Sequence, residues 1–76
     1  MELEKVFGTV LKSIRNDSGF SQEELAFRCK LDRTYISLME RGKRNPTITT
    51  IFVLAEALNL SPSHLILLTE KRYNSK

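Results

Sequence analysis

The chain has 76 residues, 41% of them hydrophobic, and a net charge of +3, which suits one small domain. Its single cysteine excludes an internal disulfide and fits a reducing compartment. No signal peptide and no apolar run of about eighteen residues is visible, so secretion and membrane insertion are not expected and a cytoplasmic location is.

The predicted elements follow in chain order. Helix 1 spans roughly 2–18: Val6, Val10 and Ile14 recur every four residues with Phe7 and Leu11 beside them, giving one broad apolar stripe that Gly19 ends. Ser21 followed by Glu24 makes a capping box, so helix 2 covers 22–29 with Leu25 and Ala26 facing inward. Ala26 is small where a second helix must cross closely. Asp32 is another N-cap, and helix 3 covers 33–41 before Gly42 stops it. Thr47 caps helix 4 (48–59). Ser61, with Pro62 at the first helical position, opens helix 5 (62–69). Residues 70–76 are polar and read as a frayed tail. No stretch alternates with period two, so the fold class is all-α, one domain over 1–69.

The informative unit is 22–41, two short helices joined by a tight turn, the arrangement that lays its second helix in a DNA major groove. Ile36 and Met39 share one stripe of helix 3; Thr34, Ser37, Leu38 and Arg41 share the opposite one. From 28 to 44 the chain carries Arg28, Lys30, Arg33, Arg41, Lys43 and Arg44 against only Asp32 and Glu40, while the rest is slightly acidic. The whole positive excess lies on and beside helix 3, as expected of a phosphate-binding surface. The alternative is a merely solvated basic face.

Helix 5 carries Leu65, Ile66, Leu67 and Leu68 in succession, which must point all around a helix. One monomer can cover only part of that circumference, and helix 4 is apolar over more than one face through Ile48, Ile51, Phe52, Leu54, Ala55 and Leu58. An interface over 48–69 is expected from these residues, against the alternative of a well-buried terminal helix.

Chemistry is not indicated. Cys29 reads as a small buried hydrophobe and His64 as a surface or interface residue. No Cys/His cluster has metal spacing, no glycine-rich loop could cradle a phosphate, and Glu23, Glu24 and Glu40 suit caps and surface pairs better than acid–base work. Glu40 could instead reach Arg41's neighbours or RNA polymerase. No catalytic residue, metal or cofactor is expected.

The run LDRTYISLMERGKRNPTI resembles the Cro/C1-type (XRE) helix-turn-helix family, and within it LDRTYIS and ERGKRN resemble the controller proteins of restriction–modification systems. The likeness covers about 4–69. It implies a compact five-helix, lambda-repressor-like DNA-binding domain, dimeric through its last helices, that binds palindromic double-stranded operators and regulates transcription. A phage or plasmid Cro-type repressor, or an antitoxin that also binds a toxin protein, are the alternatives. Carried over, Arg33, Thr34, Tyr35 and Ser37 face the groove, with Gln22, Arg44 and Asn45 on phosphates. Lys30, Arg41 and Lys43 of the basic segment join the phosphate set.

Each role has a physical basis and a rival. Arg33 can fork onto guanine O6 and N7, or pair with Asp32 or Glu24. Thr34 and Ser37 can bond base edges or phosphates; Thr34 could also be a neutral filler. Tyr35 can reach a phosphate or pack on the domain. Two positions depart from the family. Lys30 stands where glycine is usual, so a left-handed backbone there would cost about 1 kcal/mol. Leu38 stands where relatives carry polar or small residues, and could touch a thymine methyl or lean on Tyr35.

Overall fold

In a computed structural model, which describes residues 2–75, the chain forms five helices: α1 (Leu3–Asp17), α2 (Gln22–Cys29), α3 (Arg33–Glu40), α4 (Ile48–Ala57) and α5 (Pro62–Asn74). No strand occurs among the described residues. Four of the five starts are set by side-chain caps. Ser21 Oγ accepts from Glu24 N at 3.0 Å, Asp32 Oδ1 from Thr34 N at 3.1 Å, Thr47 Oγ1 from Thr50 N at 3.1 Å, and Ser61 Oγ from His64 N at 3.1 Å. Each hydroxyl or carboxylate satisfies a helix amide that has no intrahelical acceptor.

The stops are as regular. Gly19, Lys30, Gly42 and Asn59 all have positive φ. After each, the next amide reaches back to a carbonyl five residues earlier: Phe20 to Arg15, Leu31 to Ala26, Lys43 to Leu38 and Leu60 to Ala55, at 2.8–3.2 Å. This is the Schellman closure, which needs a left-handed residue. Lys30 supplies it at φ 56°, ψ 40° in the turn between α2 and α3, the strained lysine the sequence raises. Lys30→Gly should therefore raise the melting midpoint, worth up to about 1 kcal/mol. It should also weaken DNA binding slightly, reducing the salt slope by about one if Lys30 holds a phosphate. A lower melting temperature than the parent would contradict the first half.

Helix α5 does not end at residue 69. It continues to Asn74, because Glu70, Lys71 and Arg72 are good helix formers and no glycine or proline intervenes. Lys71 and Arg72 in the last turn also suit the negative end of the helix dipole. Helix α4 is two residues shorter than expected, closing on Leu58 and the left-handed Asn59.

The core joins all five helices: Phe7, Val10 and Leu11 from α1, Leu25, Ala26 and Cys29 from α2, Ile36 and Met39 from α3, Leu54 and Ala55 from α4 with Leu58 at its cap, and Leu65 from α5. Leu11, Leu25, Ile36, Met39, Leu54 and Leu65 are wholly buried. α1 comes so close to the end of α3 that a Cβ on Gly8 would overlap the Met39 carbonyl oxygen and stand 2.7 Å from that of Glu40. A glycine here is a packing requirement that helix periodicity does not reveal.

Candidate nucleic-acid interface

Helix α3 is pinned by its inner stripe, Ile36 and Met39, and this turns the other stripe outward. Arg33 and Thr34 at its N-terminal end are exposed; Ser37 and Leu38 are half-buried. Arg33 forms no ion pair with Asp32 or Glu24 among the described residues. Its guanidinium is free for an external acceptor, while Asp32 serves as the cap of its own helix.

Arg28, Lys30, Arg41, Lys43, Arg44 and Asn45 are all exposed around this helix. Two of the arginines have resting places. The Arg28 guanidinium lies 4.4 Å over the Phe20 ring, and that of Arg44 lies 5.5 Å over the Tyr35 ring. Both arrangements draw the cation toward the aromatic quadrupole and limit its wandering. Tyr35 itself is half-buried against the core. Its hydroxyl faces the loop and α4, 3.5 Å from the Asn45 carbonyl oxygen and 3.4 Å from Thr50 Oγ1. These are long contacts. They direct the Tyr35 hydroxyl into the domain, as its packing alternative had it, and make the ring a platform for Arg44.

Glu40 is not on the surface, neither in a cap or surface pair nor facing a protein partner. It is buried, and its carboxylate takes Arg15 in a two-pronged ion pair: Arg15 Nε donates to Oε2 at 2.6 Å and Nη2 to Oε1 at 3.0 Å. Arg15 Nη1 donates to the Phe20 carbonyl at 2.7 Å. The hydrogen bond to Glu40 leads the effects that raise the Arg15 pKa above its ordinary value, against some loss from burial. Gln22, expected on a phosphate, is half-buried, and its amide donates to Glu40 Oε1 at 3.0 Å. A signal for the ion pair lay in the sequence. Phe7, Leu11 and Arg15 are four apart, as are Ile36 and Glu40, so each charge falls on an otherwise apolar stripe. A charge buried on a core-facing stripe is costly without an opposite partner, and this is what brings the two together.

The apolar expectations divide. Leu58 and Leu65 are 5% and 0% exposed, so they belong to the monomer core and present nothing to a partner. Both leucines are buried because α5 crosses α4 after a 103° turn, which packs the inward leucines of the two helices into the core. Ile51 and Leu68 are half-buried at the margin of the core, while Ile66 and Leu67 are 44% and 41% exposed. Ile48 (68%) and Phe52 (56%), two more of the apolar positions the sequence shows on helix 4, are exposed too and better placed for an interface than Leu58. Cys29 is buried 3.9 Å from the Val53 carbonyl, and burial pushes its thiol up to about 11, which leaves it unreactive at neutral pH. No group of His, Cys, Asp and Glu among the described residues could hold a metal. No single helix among them is long and apolar enough to cross a membrane.

Two short helices joined by a left-handed turn, the second outward-facing and ringed with cations, define a helix-turn-helix domain. The chain belongs to the helix-turn-helix family, whose model matches residues 11–65. It is 45% identical over 62 residues to the control protein C.BamHI of Bacillus amyloliquefaciens, covering 80% of this chain and 76% of that one. Its fold is similar to the crystal structure of the restriction-modification controller protein C.AhdI from Aeromonas hydrophila, with 44% identity, a TM-score of 0.79, and 82% and 94% of the two chains covered. It is also similar to the controller protein C.Esp1396I, solved as a tetramer in complex with its natural 35 base-pair operator. That match has 36% identity, a TM-score of 0.84 and 95% of each chain covered.

Proposed function

We propose that this chain is a homodimeric transcriptional regulator that binds a palindromic operator and controls a restriction–modification operon. The observation that carries the reading is α3 itself: a helix anchored by Ile36 and Met39, with exposed Arg33 and Thr34 at its leading end and no ion pair for the arginine among the described residues. Likeness to controllers, one of them solved on its operator, supports the subtype. Arg33, Thr34 and Ser37 read bases in this proposal, with Leu38 at the edge of that face and Tyr35 supporting Arg44. Gln22, Lys30, Arg41, Lys43, Arg44 and Asn45 hold the backbone. Ile66 and Leu67 of α5, with Ile48, Ile51 and Phe52 of α4, form the dimer seam.

The antitoxin alternative is weaker on one specific ground. It needs a C-terminal segment that a partner orders, whereas residues 70–74 already continue α5.

Arg33→Ala should weaken specific binding by about 1–3 kcal/mol and relax the preference at one guanine per half-site. Arg44→Ala should instead weaken binding to every sequence and lower the salt slope by about one. Titrations of cognate and random DNA over a range of salt separate the two. Equal loss on both DNAs for Arg33→Ala would remove it from the base-reading set.

A further inference from the structure

Glu40 stands where three helix ends meet. It is the last residue of α3, Arg15 lies in the last turn of α1, and Gln22 is the first residue of α2. Oε2 is committed to Arg15 Nε at 2.6 Å, while Oε1 is shared between Arg15 Nη2 and Gln22 Nε2, each at 3.0 Å. The carboxylate cannot swing, because the guanidinium fork holds both oxygens and the Glu40 side chain is only 2% exposed. Arg15 is fixed in turn by the Phe20 carbonyl.

The consequence falls on Gln22. A carboxylate only accepts, so the amide nitrogen of Gln22 must be the atom facing it, and this decides the flip of the amide. One N–H goes to Glu40. The second N–H on the same nitrogen has no partner among the described residues, and Gln22 opens α2, whose first amides have no intrahelical acceptor. Ser21 Oγ takes only the Glu24 amide. An unheld glutamine would spread over its rotamers and present oxygen, a repelling atom, to an anion for part of the time.

We infer that Glu40 is a positioning residue for DNA binding: locked by Arg15, its carboxylate orients the Gln22 amide so that an N–H meets a DNA phosphate. The inference rests on the reading of Gln22 as a backbone contact and adds to it the residue that makes the contact effective. Glu40 touches no DNA itself.

The contact has a recognisable signature. A neutral amide releases no counterion, so its loss lowers affinity for cognate and random DNA alike and leaves the salt slope unchanged. Gln22→Met keeps the stem and removes the donor, and should weaken binding on the order of tenfold, as fits a hydrogen bond to a charged group. The decisive background is Arg15→Met/Glu40→Met, which exchanges the buried pair for apolar side chains, a swap that folded proteins often tolerate. That background should lose about the same tenfold, and adding Gln22→Met to it should change affinity less than twofold. If it binds as the parent does, or if Gln22→Met still costs tenfold there, Glu40 is merely structural and the inference fails, with the phosphate reading of Gln22 intact. If Gln22→Met in the parent leaves affinity unchanged, that reading fails and takes the inference with it. Should the double-methionine background not fold, Glu40→Asp serves. It keeps the charge opposite Arg15 but draws the carboxylate back from Gln22, so Gln22→Met should again add less than twofold, and a full tenfold loss would overturn the inference.

Discussion

Ile66→Glu and Leu67→Glu should each give a folded monomer that no longer holds its operator. Both side chains are little more than two-fifths exposed on α5, so a carboxylate there stays solvated in the monomer and leaves the core untouched. In a dimer the same charge would be buried in an apolar seam without a partner, which is costly. Affinity should fall steeply because a dimer binds its second half-site intramolecularly. Losing that linkage removes on the order of 10²–10⁴-fold in binding without altering one DNA contact. Sedimentation should report monomers and circular dichroism an unchanged helical spectrum. An unchanged dimer for both variants would move the seam to another surface. Leu65→Glu cannot serve this purpose: Leu65 is fully buried, so the variant tests folding and not assembly.

Gly8→Ala should be the most damaging small substitution in the chain. In an ordinary helix it would be favourable by about 1 kcal/mol. Here the added methyl meets the carbonyl oxygens of Met39 and Glu40, and both are backbone atoms that no rotamer change can move. Relief requires α1 to lift from the end of α3, which would stretch the Arg15–Glu40 pair. A net loss of about 3 kcal/mol is expected, the upper end for overpacking and a large share of the stability of a domain this small. Chemical denaturation measures it directly. A variant as stable as the parent would show that α1 and α3 are not locked at this point.

The local signals were the legible ones. Ser21, Asp32, Thr47 and Ser61 announced the starts of α2 to α5, and each accepts the amide its position implies. Gly19 and Gly42 announced two stops. Lys30 is readable as left-handed only through the family resemblance, since lysine carries no such preference of its own, while Asn59 is of a type that tolerates this backbone. Features set by packing between helices were harder. A run of four apolar residues in α5 cannot say which of them face inward, because that depends on the 103° turn between α4 and α5. Leu65 therefore reads from sequence as one of four equivalent positions, yet lies wholly in the core. Glu40 looked like a surface acid because its partner lies 25 residues away on α1. Gly8 looked like an indifferent helix residue because its constraint is a backbone on another helix. The outward stripe of α3 was legible as a position, with Arg33 and Thr34 exposed, although the Tyr35 hydroxyl turns toward Asn45 and Thr50.

In the proposed dimer, two copies of α3 read two successive major grooves. Footprinting on the DNA upstream of the chain's own gene, with methylation interference at guanines, tests it most directly. Two symmetric protected patches are expected on one face of the duplex, centred roughly 34 Å or one helical turn apart, with a sensitive guanine in each that Arg33→Ala renders insensitive. Uniform protection without a two-fold pattern, at the affinity shown for random DNA in the same salt, would contradict it.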